Sequence, residues 1–182
     1  MPLPVIETSR LRLRNWRDED LQSWFEMGAD PRVMEFFPDV YDRERSDCTA
    51  AAVRRRNEAN PYGWWVIEEK DGEPFAGVIQ LADVPFEAPF TPAHEIGWRL
   101  PAKFWGRGYA TEAARAILDY AFESLGMDEV VALTTVMNVR SRRVMERLGM
   151  TYDPNDDFDN PRVPDGHPLQ RHVLYRIRKA AP

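Results

Sequence analysis

The sequence predicts an α/β fold in which helices flank a central, mostly antiparallel sheet. Strand-like runs alternate with apolar rows at helical spacing along the chain. Two of the strand-like runs are separated by an Asp-Gly turn at residues 71–72, a pattern typical of a β-hairpin. A third run leads through a glycine-containing turn directly into a helix. Together these features predict the order strand, helix, helix, three strands, helix, strand, helix, strand.

The first third of the chain predicts one strand and two helices. Residues 9–15 alternate basic and leucine side chains, as in a half-buried strand. Asp18 is predicted to cap the helix that follows, and residues 43–59 form a second, strongly charged helix. Between these helices, residues 33–38 are rich in aromatic side chains. Core packing is favoured there, with the wall of an acceptor pocket as the alternative.

The middle of the chain predicts the hairpin and the third strand. The hairpin strands are residues 63–69 and 75–81, whereas residues 85–92 carry three prolines and cannot be a central strand. Residues 94–100 are the third strand. A helix over residues 111–125 follows and is stopped by Gly126.

The last third predicts a buried strand, a short helix and a final strand. Residues 130–136 are nearly continuously apolar, as expected for a buried strand. A short helix begins near Asn138 and ends at Gly149, and residues 172–178 are strand-like. The acidic segment 153–168 is not a calcium loop, because Phe158 stands where such a loop needs glycine.

Composition limits the classes of function. The 182 residues are 43% apolar and 30% charged, which predicts one ordered domain over residues 1–182. The net charge of −6 argues against a nucleic-acid partner and is compatible with an amine-bearing one. The single cysteine, Cys48, excludes an intramolecular disulfide and favours a reducing compartment. No targeting segment or membrane-length apolar run is present, so we expect a cytoplasmic protein without a membrane partner.

The stretch that carries the chemistry is residues 104–112, called here the glycine turn. Gly106 and Gly108 flank Arg107 and allow a ligand to come close to the backbone. The first amides of the following helix have no internal partner, and the helix dipole is positive there, so an anion site is expected. Nucleotide hydrolysis is disfavoured because no lysine follows Gly108. A dinucleotide fold is disfavoured because Thr111 replaces the third glycine.

Several motifs resemble the GNAT superfamily of acyl-CoA-dependent N-acyltransferases, and within it the RimJ/RimL-like branch. They are Trp-Gly-Arg-Gly-Tyr-Ala at 105–110, Asn-Val-Arg-Ser at 138–141 and Leu-Gly-Met at 148–150. Residues 7–14 and 95–100 are also similar to that branch, so the match covers almost the entire chain. Trp105 stands where the wider superfamily has glutamine or arginine, and this tryptophan is common in the branch.

The resemblance implies the GNAT fold, with a sheet splayed at the strand pair that admits the pantetheine arm. It also implies direct transfer of an acetyl group from acetyl-CoA to a primary amine, without a covalent enzyme intermediate and without a metal. The acceptor would be a protein N-terminus or a small molecule, and a homodimer is possible. The predicted cofactor-binding residues are Leu100, Trp105, Gly106, Arg107, Gly108, Tyr109, Ala110, Thr111 and Asn138.

Two residues are the catalytic candidates. Glu95 is the best general base, with an ordinary strand-edge acid as the alternative. Ser141 resembles the hydroxyl near the thioester sulfur and is a candidate proton donor to the thiolate, with helix packing as the alternative. A backbone amide near Arg99 or Leu100 is the expected oxyanion donor. The alternative function is a non-catalytic, regulatory CoA-binding domain.

The histidines are favoured as surface or structural residues. His94 adjoins Glu95, so alternation along the strand lets only one of the two face the site. His167 and His172 lie with the acidic segment, where the alternative is a position on the acceptor side. Their spacing is not that of metal ligands, and no cysteine accompanies them.

Overall fold

A computed structural model describes residues 2–180 of the protein. Within these residues, nine strands form one sheet in the order β1-β2-β3-β4-β5-β6-β9-β7, and β8 pairs with β9. The strands are β1 (Ile6–Glu7), β2 (Leu11–Arg14), β3 (Trp64–Glu69), β4 (Gly77–Asp83), β5 (His94–Arg99), β6 (Glu129–Thr135), β7 (Thr151–Tyr152), β8 (Phe158–Asp159) and β9 (Arg171–Arg178). The helices are α1 (Asp20–Ala29), α2 (Arg43–Ala59), α3 (Tyr109–Asp119) and α4 (Val139–Arg147).

The sheet opens between its two parallel strands. β5 and β6 run parallel and share one paired position, Glu95 opposite Val131, whereas every other neighbouring pair among the described residues is antiparallel. Glu95 lies near the start of β5, so the strands separate beyond it. This geometry confirms the predicted mostly antiparallel sheet and produces a gap lined by the backbones of β5 and β6.

The two faces of the sheet have different cores. On one face, Ile117 and Leu118 of α3 pack with Ile79 and Ile96. On the other face, α1 and α2 cover a second cluster that includes Trp24. Complete burial of a large apolar side chain contributes about 1.5–3 kcal/mol, so these two clusters fix the sheet between α3 and the α1–α2 pair.

The predicted cap of α1 is wrong. The helix begins at Asp20, and the carboxylate of Asp20 accepts a hydrogen bond from the backbone amide of Arg17 at 2.6 Å. Asp20 also forms a buried ion pair with Arg14, at 2.8 Å. Arg14 pairs with Glu68 as well. Burial acts to raise the pKa of the Glu68 carboxyl, but hydrogen bonding from Arg14 acts against burial and the pKa is lowered. The start of α1 is therefore set by the buried ion pair of Asp20 with Arg14 rather than by the local capping signal at Asp18.

The helix predicted over residues 111–125 is nearly as expected. α3 starts at Tyr109 rather than Thr111 and continues through a π-helical turn, Tyr120–Ser124. Gly126 ends it with a φ of 69°, a left-handed conformation that favours glycine. The two-residue strands β1, β7 and β8 were not predicted, because two residues are too few to show a period. Among residues 2–180, no helix combines the length and apolarity needed to cross a membrane.

Candidate active site

A cleft of about 1620 Å³ opens where β5 and β6 separate. Its walls include residues from both strands, the glycine turn, α4 and the loop between α1 and α2. Pockets for one small ligand usually measure about 300–1000 Å³, so the cleft has room for two ligands side by side. Glu95 and Ser141 both line it.

The glycine turn forms one end of the cleft. Gly106 and Gly108 have φ angles of 76° and 81°, which other residues rarely adopt. Within residues 2–180, the amides of Gly106, Arg107 and Gly108 donate to no protein acceptor. The first amides of α3 add further unpaired donors. This end of the cleft can therefore hold an anionic group with backbone amides.

The structure brings most of the predicted cofactor-binding residues to this cleft. Those that line it are Leu100, Trp105, Gly106, Gly108, Tyr109, Ala110, Thr111 and Asn138. Arg107 is the exception. Its guanidinium lies 3.4 Å from Glu69 and over the ring of Phe104, and it does not line the cleft.

Arg10 holds the glycine turn in place, a role that the sequence analysis did not assign. Its guanidinium donates to the carbonyl of Arg107 at 3.0 Å and to Glu112 at 2.7 Å, and it lies 4.8 Å from the ring of Tyr109. Glu112 also accepts from the hydroxyl of Thr8 at 2.6 Å. The N-terminal strand region is thus tied to the first turn of α3, which fixes where the free amides point.

Trp105 fixes the end of β5. Its indole Nε1 donates to the carbonyl of Leu100 at 2.8 Å, and its ring lies 4.5 Å from the guanidinium of Arg140 on α4. Arg140 also pairs with Glu35, 2.5 Å away in the loop between α1 and α2. These contacts connect the glycine turn, α4 and that loop around the cleft.

Asn138 and Ser141 lie across the gap from β5. Asn138 caps α4, because its side-chain oxygen accepts from the amide of Ser141 at 3.1 Å. Its side-chain nitrogen donates to Thr134 at 3.0 Å, which leaves one donor hydrogen for a ligand. The hydroxyl of Ser141 makes no hydrogen bond within residues 2–180 and is free to donate into the cleft.

Glu95 lies where the two parallel strands part. Burial raises the pKa of its carboxyl from 4.5 to about 7, and the charge of Arg162 opposes this rise in part. A carboxylate with a pKa near neutrality is suited to accept a proton at physiological pH. His94 turns away, with Nδ1 3.0 Å from Asp83 and its ring against Tyr62. As expected from strand alternation, Glu95 therefore lines the cleft and His94 does not.

One preference drawn from the sequence changes and one is retained. Phe36 and Phe37 line the cleft, which matches the alternative interpretation, whereas the neighbouring Met34 is buried core. His172 also lines the cleft, but its Nε2 lies 3.2 Å from the side-chain nitrogen of Asn160 and its Nδ1 lies 3.1 Å from the carbonyl of Gln170. Burial lowers the pKa of His172, so a neutral, structural ring is favoured.

His167 is placed outside the cleft, and its ring accepts from the amide of Leu169 at 3.1 Å. Among residues 2–180, no group of three or more His, Cys, Asp or Glu side chains could hold a metal ion. Cys48 is exposed on α2.

Comparison with known proteins identifies the family. Residues 10–151 match the model of the Acetyltransferase (GNAT) domain. The chain belongs to the GNAT acetyltransferase family. The matched range of this GNAT enzyme contains Arg10, the glycine turn, Asn138 and Ser141. It ends before Arg162 and His172, which line the cleft from the C-terminal segment.

Two relatives in sequence and one solved structure show which proteins this GNAT enzyme resembles. It is 34% identical over 148 residues to the Bacillus subtilis "Uncharacterized protein YkkB", covering 81% of this chain and 85% of that protein. It is 35% identical over 158 residues to the Aspergillus fumigatus "FsC-acetyl coenzyme A-N(2)-transacetylase", covering 82% of this chain and 66% of that protein. A solved structure of RimL, a ribosomal L7/L12 alpha-N-protein acetyltransferase in complex with coenzyme A, superposes with a TM-score of 0.76. That alignment covers 96% of this chain and 98% of RimL at 16% identity.

These findings confirm the predicted family, fold class and enzyme class. At 16% identity, the RimL neighbour supports the fold alone. The protein is an N-acetyltransferase of the GNAT family.

Proposed function

We propose that this protein transfers an acetyl group from acetyl-CoA directly to a primary amine, on a protein N-terminus or a small molecule. One observation carries the proposal. A single cleft joins a backbone anion site at the glycine turn to the carboxyl of Glu95, whose pKa is about 7. A phosphate-bearing donor and an amine can therefore meet where β5 and β6 separate.

The proposed cofactor site follows the gap in the sheet. The pyrophosphate of coenzyme A would bind the amides of residues 106–111, and the pantetheine arm would enter between β5 and β6 past Asn138. Two findings support this placement: the free amides of Gly106 and Gly108, and the coenzyme A named in the RimL structure. The name of the Aspergillus relative also specifies transfer from acetyl coenzyme A to a nitrogen.

The proposed chemistry needs three groups. The amine attacks the thioester carbonyl, and Glu95 removes a proton from the nitrogen, directly or through water. A carbon–nitrogen bond forms as the carbon–sulfur bond breaks, and Ser141 donates a proton to the departing thiolate. A backbone amide of β5 would stabilise the developing oxyanion.

The position of the oxyanion donor shifts from the sequence-based expectation. Successive residues of a strand are about 3.3 Å apart, so Leu100 lies roughly 16 Å along β5 from Glu95. One carbonyl carbon cannot be close to both. An amide nearer to Glu95, between Ile96 and Trp98, fits the oxyanion role better, and Leu100 remains with the cofactor-binding residues.

Release of free thiol from acetyl-CoA tests the proposal. The protein is offered N-terminal peptides, polyamines and aminoglycosides, and thiol is measured over time. We expect release that depends on at least one class of amine. The alternative function, a non-catalytic CoA-binding domain, predicts thermal stabilisation by acetyl-CoA without thiol release from any amine, and that result would replace the proposal.

A further inference from the structure

Arg99 lies on the same face of β5 as the proposed base. Side chains alternate along a strand, so Glu95 and Arg99 share one face, and both line the cleft. Ile96 and Leu100 belong to the opposite face and join the core beneath α3. Arg99 therefore faces the α1–α2 side of the sheet, away from the helix that begins at the glycine turn.

The guanidinium of Arg99 is enclosed by aromatic rings. Its central carbon lies 4.3 Å from the ring centre of Phe37, 5.3 Å from that of Trp24 and 5.4 Å from that of Tyr41. Its Nε and Nη1 are buried, and neither has a hydrogen-bond partner in the part of the chain that the structure describes. A positive charge is thus held at the cleft without a carboxylate on these two nitrogens.

Two other arginines that line the cleft are paired. Arg45 lies 3.3 Å from Asp39, and Arg56 lies 3.2 Å from Asp83. Both come from α2 and line the same side of the cleft as Arg99. Within residues 2–180, Arg99 differs from Arg45 and Arg56 in having no carboxylate partner, although the Nε of Arg56 is also buried without a hydrogen-bond partner.

A guanidinium with two buried, unpaired nitrogens is costly to the folded protein. Buried donors without acceptors lose their hydration, and the surrounding rings compensate for only part of this loss. The planar fork of arginine is suited to two parallel hydrogen bonds with a carboxylate or phosphate. An anionic group of a ligand would restore these bonds.

An anion that binds Arg99 would belong to the acceptor rather than to the cofactor. The phosphates of coenzyme A are assigned to the amides of the glycine turn on the α3 side, whereas Arg99 faces α1 and α2. The pantetheine arm and the acetyl group carry no charge. The acceptor is the remaining ligand of this cleft.

The spacing along β5 sets the length of the acceptor. Glu95 and Arg99 are four residues apart, about 13 Å along the strand. An amine and a carboxylate that lie between the two side-chain ends, each at hydrogen-bond distance, are then roughly 8–12 Å apart. An extended peptide covers about 3.3–3.6 Å per residue. A peptide whose third residue is acidic fits this distance, whereas the carboxylate of a free α-amino acid lies too close to its amine.

We infer that Arg99 binds a carboxylate of the acceptor, and that the preferred acceptor is an amine with a carboxylate roughly 8–12 Å away. This inference rests on the proposed function. The carboxylate can belong to a peptide side chain or to a small amine, and both present the same chemistry to Arg99.

Matched acceptors test the inference. One pair is a peptide with Asp at its third position and the same peptide with Asn there. The second pair is a small amine with a carboxylate at a similar distance and its neutral amide. Thiol-release kinetics give kcat/KM for each with the wild type, Arg99→Met and Arg99→Lys, and titration gives the affinity for acetyl-CoA.

We expect the wild type to favour the acid of at least one pair by about tenfold or more in kcat/KM, mainly through KM. The pair that shows the preference identifies whether the carboxylate that binds Arg99 comes from a peptide or from a small amine. Arg99→Met should lose the preference and Arg99→Lys should keep a fraction of it, because it retains charge without the fork. The affinity for acetyl-CoA should stay within about threefold in both variants, because Arg99 is assigned no contact with the cofactor.

Three results would overturn the inference. Equal kcat/KM for acid and amide with an active wild type would exclude an anion site, and this comparison needs no variant. Equal losses for both acceptors in Arg99→Met would indicate a structural role. A large loss of acetyl-CoA affinity would assign Arg99 to the cofactor. Absence of thiol release with every amine would instead refute the proposed function.

Discussion

Replacing Glu95 with glutamine should remove a pH-dependent cost from folding. Burial raises the pKa of Glu95 from 4.5 to about 7, so between these values the folded protein retains a proton that the unfolded chain has lost. The stability from this group is therefore complete below about pH 4.5 and is lost as the pH rises towards 7. At about 1.36 kcal/mol per pKa unit the full loss is about 3 kcal/mol, and water in the cleft reduces it.

Urea unfolding of the wild type and Glu95→Gln at pH 5 and pH 8 measures this effect. The free energy of unfolding of the variant relative to the wild type should increase by about 2 kcal/mol between the two pH values. Glu123→Gln replaces an exposed carboxylate outside the cleft and serves as the control, with no such increase expected. Parallel pH profiles for the wild type and Glu95→Gln would refute the assignment of a raised pKa to Glu95.

Three further predictions concern the glycine turn, the contacts of Arg10 with it, and Ser141. Gly108→Val places a branched side chain at a φ of 81° and should weaken coenzyme A binding about tenfold or more by calorimetry. Arg107→Ala should change it by less than about threefold, and comparable losses would mean that charge, not backbone, holds the ligand. Arg10→Met removes the bonds to Arg107 and Glu112 and should raise the dissociation constant for coenzyme A severalfold; an unchanged constant would show that the turn is rigid without Arg10. Ser141→Ala should lower kcat by about a hundredfold without changing that constant, and an unchanged turnover would remove Ser141 as the proton donor.

Local signals explain why the glycine turn and the helix after it could be predicted from sequence. The two glycines of the turn and the apolar row of α3 lie within one continuous stretch, and the structure gives both glycines positive φ angles. Asn138 likewise acts as the cap of the helix that begins beside it. Such features depend on residues close in sequence, so the sequence alone contains them.

Features that depend on distant contacts were missed or misassigned. Asp18 has the local pattern of a cap, but Asp20 is held by Arg14 from the preceding strand and defines the start of α1. The clamp by Arg10 joins residues about a hundred positions apart along the chain. Strand alternation alone is enough to place Arg99 on the same face of β5 as Glu95. The lack of a hydrogen-bond partner for its guanidinium depends on how the loop between α1 and α2 folds over it.

Initial rates with acetyl-CoA and amine varied together test the central claim most directly. Direct transfer requires both substrates to be bound in the cleft at once, so reciprocal plots should give lines that intersect. Parallel lines would show that an acetyl-enzyme forms before the amine binds, and would contradict the account.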